Sequence, residues 1–325
     1  MQPAAPSGAG AARLPDAITD PFTGRRLSLL DWKAHNVRAS WLLTVAMVLL
    51  LAAIGWLIGY VIDPGLALAV MVLAVGVGLA QVGVAFWASD AMILSVAGAR
   101  QATHEEHRYL VNVTEAVAIG AGVPRPRIYV IDSPAPNAFA TGRDPRHGSV
   151  AVTTGLMQLL DRQELEGVVA HEIAHIRNYD IRFMSMLAAT VGAIVMLRDV
   201  ALRAFRFGGV RRRGGSSSAG KGQALMMLLL VLVLVLAPLL AAVLRMAVSR
   251  RREYLADATG AYITRNPEGL ARALEKLRDY AGAPLPVSDS VAHMMFVNPT
   301  AALNATGAFA THPPLQDRIE RLRRM

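Results

Sequence analysis

Hydrophobic positions follow different rhythms along this chain. Two apolar stretches of 22 residues, Trp41–Ile62 and Leu66–Trp87, the second with Gln81 inside it, are each long enough to cross a bilayer core of roughly 30 Å as a helix. Asp63-Pro64-Gly65 between them predicts a tight turn without positive charge. A third run, Ala224–Leu244, has 21 residues and carries Pro238, where a helix can bend. Phe183–Leu197 is also largely apolar, but its fifteen residues are short for a span.

Elsewhere the pattern is that of a soluble domain. Glu105 to Gly120 predicts a helix, ended by Gly122-Val-Pro-Arg-Pro126. Arg127–Ile131, Asn137–Thr141 and Ser149–Thr153 predict short strands, with a Gly/Pro-rich loop at Gly142–Gly148. Asp161 and Glu164 have capping-box spacing, and Leu165, Val168, Val169 and Ile176 form an apolar stripe behind them. No Gly or Pro interrupts residues 245–259, so the helix begun at Ala224 is expected to continue out of the membrane. Residues 266–279 predict an amphipathic helix opened by Asn266-Pro267, and a basic helix closes the chain. Residues 1 to about 40 read as a loosely ordered polar tail, and Arg198–Gln223 as a flexible basic Gly/Ser-rich loop.

Composition sharpens this picture. Hydrophobic residues make up 54% and charged residues 18% of the 325, an integral membrane balance. The net charge of +9 sits mostly beside the apolar runs, where Lys and Arg act as orientation signals and lipid-headgroup partners. The bilayer, not nucleic acid, is therefore the expected partner. Cys is absent, which removes disulfides and thiolate ligands, so any metal must be held by His and carboxylates.

The chemistry lies in His171-Glu-Ile-Ala-His175. On a helix the two imidazoles stand one turn apart on one face and can reach a single metal ion, with Glu172 beside them to take a proton from water. Neutral imidazoles and a carboxylate with one open position suit zinc, one ion per chain. Two His leave zinc short of a third protein ligand. In one large class of zinc peptidases that ligand is a Glu on a later helix, with an Asp four residues on that orients the first His. Glu253 and Asp257 have that spacing, although two charges on a solvated helix face would show it too.

Taken together, Pro136-Asn-Ala-Phe-Ala-Thr-Gly142, Val152-Thr-Thr-Gly-Leu-Met157, Glu164–Asp180, Arg252-Glu-Tyr-Leu-Ala-Asp257 and Thr311-His-Pro-Pro314 resemble the HtpX-type membrane metalloproteases. These belong to the peptidase family that also contains the CAAX prenyl endopeptidases. The resemblance runs from about residue 36 to the end. It implies His171, His175 and Glu253 as zinc ligands, Glu172 as general base and Asp257 as the residue orienting His171. It further implies that Asn137, on a substrate-binding strand, and His312 hydrogen-bond the substrate or stabilise the oxyanion. The implied fold is α+β, an integral membrane protein that is mainly helical, with a small β-sheet in the zinc-protease domain.

On this reading the chain divides into a cytoplasmic tail (1–40), a transmembrane hairpin (41–88), a first catalytic part (89–182), a second membrane hairpin with its basic loop (183–246) and a second catalytic part (247–325). Basic residues before the first span and none in the turn after it place the N-terminus and the active site on the cytoplasmic face; the resemblance implies that the membrane is a bacterial inner membrane. His171 and Glu253 must meet, so the intervening chain crosses twice or not at all. Two crossings are preferred, although they export a loop with seven Lys/Arg against one Asp. The expected function is quality-control and stress-response proteolysis of membrane proteins. The alternatives are processing of prenylated CAAX proteins, or a non-catalytic metal-binding scaffold, against which the intact Glu172 argues.

Overall fold

In the computed structural model of the protein, the described residues are 17–19, 26–187, 250–280, 295–296 and 313–325. The Ala224–Leu244 run, the 198–223 loop and His312 lie outside them. The order is two short antiparallel strands, β1 (Ala17–Thr19) and β2 (Arg26–Ser28), then helices α1 (Leu29–Ile62) and α2 (Ala67–Val96), strand β3 (Ala99–Gln101) and helix α3 (Arg108–Ala121). Strands β4 (Arg127–Ile131), β5 (Ala138–Gly142) and β6 (Gly148–Thr153) follow, then helices α4 (Thr154–Leu159) and α5 (Arg162–Arg177). Residues 180–187 are helical (α6), and the later part contributes α7 (Arg250–Thr264), α8 (Pro267–Arg278) and α9 (Leu315–Leu322). The fold is α+β and mainly helical.

The hairpin forms as its hydropathy demands, but its helices outrun the apolar stretches at the domain end. Helix α1 begins twelve residues before Trp41, so residues 29–40 are helix rather than loose tail. No Gly or Pro interrupts this stretch, and one face is fixed by burial: Trp32, Asn36 and Ser40, four apart, are all buried. At 1.5 Å per residue, its 34 residues span about 51 Å, well beyond a bilayer core. Helix α2 continues to Val96, where Ile93 and Leu94 are buried against the sheet. Between the two ends the hairpin exposes Leu42, Leu49, Leu68, Leu73 and Val77, the surface of a pair of helices meant for lipid.

The sheet has the order β3-β4-β6-β5, with β4 and β6 parallel and the outer pairs antiparallel. Residues of β6 are buried on both faces. Val150 and Val152 face α3, α5 and α8, whereas Ala151 joins Phe139, Ile131 and the end of α2. Strand boundaries differ slightly from expectation: β5 starts at Ala138 rather than Asn137 and takes in Gly142, while β6 begins at Gly148. Gly142 makes this possible with φ 134, because a Cβ there would lie 2.2 Å from the His147 carbonyl oxygen. Helix α3 begins at Arg108, because residues 104–107 form a turn in which the Thr103 hydroxyl accepts the Glu106 N–H. The short strand β3 lacks an apolar alternation and escapes a pattern reading.

Helix α5 is the centre of the domain. Its capping box forms as spaced, with Asp161 accepting the Glu164 N–H at 2.9 Å and Glu164 accepting the Asp161 N–H at 2.8 Å. Leu165, Val168, Val169 and Ile176 are fully buried. Helix α7 crosses it closely at Gly260, whose missing Cβ would sit 3.0 Å from the His171 backbone nitrogen. We therefore expect Gly260→Ala to destabilise the protein by roughly 1–3 kcal/mol, as overpacking does, and to weaken metal binding by moving Glu253. Gly120→Ala in α3, whose Cβ would meet only ordinary contact at 3.5 Å, should instead add about 0.5–1 kcal/mol. Thermal unfolding in detergent distinguishes them; equal effects would contradict the close crossing.

Candidate active site

Helical geometry places His171 and His175 on the face of α5 that meets α7, with Glu253 opposite. The two imidazole Nε2 atoms lie 3.1 Å apart, and Glu253 oxygens lie 3.7 Å from the first and 3.8 Å from the second. Ligand atoms about 2.0–2.1 Å from a tetrahedral ion are separated by roughly 3.4 Å, so the three can share one metal. Each Nδ1 is engaged elsewhere, by Asp257 at His171 and by Asp180 at His175, both at 2.9 Å. A proton on Nδ1 leaves the Nε2 lone pair facing the ion, the tautomer metal binding requires.

The carboxylates are themselves held. Arg318 on α9 forms a two-pronged pair with Asp257, at 2.8 and 2.7 Å, and approaches Glu253 at 3.7 Å. Arg252 pairs with Asp180 at 3.2 Å. All these groups are buried. Among them, the carboxylates of Glu172, Asp180, Glu253 and Asp257 outnumber the guanidiniums of Arg252 and Arg318 by two. With neutral imidazoles, a divalent cation cancels that excess, which is a second, electrostatic fit to zinc.

Burial lowers the His171 pKa to about 4, against the pull of Asp257. At His175 burial also disfavours charge, but the Asp180 hydrogen bond and the charges of Glu253, Asp180 and Glu172 push it up to about 9. A metal at Nε2 needs this imidazole neutral, so metal and proton compete there. Burial opposes ionisation of Asp257, yet Arg318 and the His171 hydrogen bond keep it below the usual range. Glu172 is raised to about 7, chiefly by burial, and it faces Ala140 of edge strand β5 across the cavity of the site.

A cavity lined by Ala140, His171, Glu172, His175, Glu253 and Phe296 opens at this point. The outward edge of β5 is partly engaged: Ala138 accepts the Phe296 N–H at 2.8 Å, and Gly142 donates to Ser185 at 3.3 Å. Asn137 lies just before β5, nearly buried, with its side-chain oxygen accepting the Ala138 N–H at 3.0 Å. It is not among the cavity-lining residues. Asp180, Arg252, Arg318 and Asn36 are contributors that sequence reasoning missed. Asp180 and Arg252 border the quoted motifs, but nothing local marks Arg318 or Asn36 as buried.

Comparison with known proteins decides the family. A model of peptidase family M48 matches residues 104–325. The chain belongs to peptidase family M48. A protease HtpX homolog of Thermoanaerobacter pseudethanolicus is 44% identical over 92% of this chain and 98% of its own length. One from Dictyoglomus thermophilum is 48% identical over 73% and 76%, and one from Tropheryma whipplei 39% over 90% and 97%. Ste24p of S. mikatae superposes with a TM-score of 0.49 at 18% identity, covering 90% of this chain and 67% of that one, a likeness too loose to carry weight. This M48 protein is a membrane zinc metalloendopeptidase, as the relatives and the two apolar helices together establish.

The raised pKa of Glu172 has a thermodynamic consequence. Unfolded, the group titrates near 4.5; folded, near 7. Between these values the native state binds more protons, so this contribution to stability is full below about pH 4.5 and is lost as pH rises through 7. Metal-free Glu172→Gln should therefore unfold at higher temperature than metal-free wild type at pH 8, by on the order of 1–3 kcal/mol, and the difference should shrink toward pH 5. Differential scanning calorimetry after chelation checks this; a variant no more stable at pH 8 would contradict it.

Proposed function

We propose that His171, His175 and Glu253 hold one zinc ion and that Glu172 is the general base of peptide-bond hydrolysis. The observation that carries this reading is the convergence of both Nε2 atoms and the Glu253 carboxylate beside the buried Glu172. Zinc, when bound, supplies Lewis-acid polarisation of water and of the scissile carbonyl. Glu172 takes the proton of the attacking water on a carboxylate oxygen as the new C–O bond forms. It then returns that proton to the amine nitrogen as the C–N bond breaks. Asp257 fixes the tautomer of His171 from α7.

The substrate is a polypeptide in extended form, laid along the outer edge of β5. There it would compete with Phe296 for the Ala138 carbonyl, and its scissile carbonyl would lie near Ala140, where the strand meets Glu172. Asn137 and His312 hydrogen-bond the substrate or the developing oxyanion in this proposal. The catalytic domain is built from residues 89–182 and 247–325, split by a second membrane hairpin and preceded by the first. It faces the cytoplasm at a bacterial inner membrane, where it degrades damaged membrane proteins. The long helical base of α1 supports a catalytic domain standing just outside the headgroups.

Glu172→Gln should retain stoichiometric zinc and lose two or more orders of magnitude in the rate of casein cleavage. Full proteolysis by that variant would remove the mechanism, and loss of zinc would recast Glu172 as a ligand.

A further inference from the structure

We propose that Asn36, on the base of the first hydrophobic helix, is a positioning residue for the metal centre. It acts through Asp180 on His175, so that the geometry of the centre depends on how the membrane hairpin is seated. The inference rests on the metal reading above and concerns a residue 139 positions before the ligand it governs.

Both hydrogens of the Asn36 amide are spent at one place. Nδ2 donates to the Asp180 carboxylate at 2.6 Å and to the Asn178 carbonyl at 3.0 Å. Asn36 and Asp180 are fully buried, so water does not substitute for either bond. The other oxygen of Asp180 holds His175 Nδ1 at 2.9 Å. One carboxylate thus joins a membrane helix to a metal-facing imidazole. The turn between Asn178 and Asp180 needs such a clamp, because Tyr179 has φ 61, a left-handed conformation that costs a non-glycine residue about 1–3 kcal/mol. Asn36 grips the backbone on one side of that residue and the carboxylate on the other.

The surroundings make α1 a rigid partner rather than a passing contact. Lys33 lies over the Tyr179 ring at 4.4 Å, and Arg251, two residues before Glu253, lies over Trp32 at 5.5 Å. The second helix is tied down as well, through Asp90 with Arg127, and Trp87 beneath Arg143 at 4.5 Å. Amide chemistry is specific at position 36. Alanine gives no donor, and serine has a single hydroxyl on a shorter side chain.

The test uses the full-length chain in detergent and reads zinc binding apart from proteolysis. Zinc affinity is measured by competition with a chromophoric chelator, and kcat and KM with labelled casein, for wild type, Asn36→Ala, Asn36→Ser and Lys33→Ala. Asn36→Ala and Asn36→Ser should bind zinc about tenfold or more weakly and lose kcat with KM within about twofold, the scale of outer-shell changes. Lys33→Ala, which touches Tyr179 without touching Asp180, should weaken zinc binding by less than either Asn36 variant. In an Asp180→Ala background the Asn36→Ala effect on affinity should vanish, because the link is already cut. Zinc affinity within twofold of wild type in both Asn36 variants would overturn the proposal. So would an undiminished loss in the Asp180→Ala background, or a loss that only parallels general unfolding by circular dichroism. Failure of the wild-type chain to bind zinc would instead overturn the metal reading itself.

Discussion

Everything at the centre depends on two hydrogen bonds of 2.9 Å, donated by His171 Nδ1 to Asp257 and by His175 Nδ1 to Asp180. An imidazole one turn from another is easily supplied by a helix; two imidazoles with their Nε2 lone pairs aimed at one point are not. The carboxylates fix tautomer and ring orientation together. Because they are buried, they need partners of their own, and the protein recruits these from far apart in sequence: Arg318 from the last helix, Arg252 from beside Glu253, and Asn36 from the first helix. The site therefore ties the two ends of the chain together.

That arrangement is costly without a metal. Among the described residues four buried carboxylates face two guanidiniums, an excess that a divalent cation relieves; burial pushes the Glu172 pKa up, and the neighbouring carboxylates push that of His175 up. The same burial brings the Glu172 carboxyl to about 7, the range that the proposed general base needs. Stability and chemistry are set by one desolvated cluster.

The architecture explains why the cluster can form beside a membrane. Helices α1 and α2 emerge from their apolar spans as continuous helix and pack against the catalytic domain, α1 on the turn after α5 and α2 on the outer face of the sheet. Much of this was legible in sequence. The first two spans, the capping box at Asp161, the strand at Arg127 and the spacing of His171, His175, Glu253 and Asp257 are local patterns, and local patterns survive folding. What escaped is non-local. Residues 29–40 look like a polar tail because their buried face, Trp32, Asn36 and Ser40, is sparse and mixed in chemistry. Arg318 looks like one of several basic residues in a C-terminal helix, and only the approach of Asp257 makes it a core residue. Asn137 lies just before β5, its backbone bonded to Thr153 and its side-chain oxygen accepting the Ala138 N–H.

The central claim is that side chains from α5 and α7 share one zinc ion through two imidazole Nε2 atoms and one carboxylate. X-ray absorption at the zinc edge on the purified full-length protein tests it directly. The account predicts a four-coordinate shell of nitrogen and oxygen near 2.0–2.1 Å, with outer-shell scattering from two imidazoles. A shell with one imidazole or none, or a six-oxygen shell typical of adventitious hydrated metal, would contradict it.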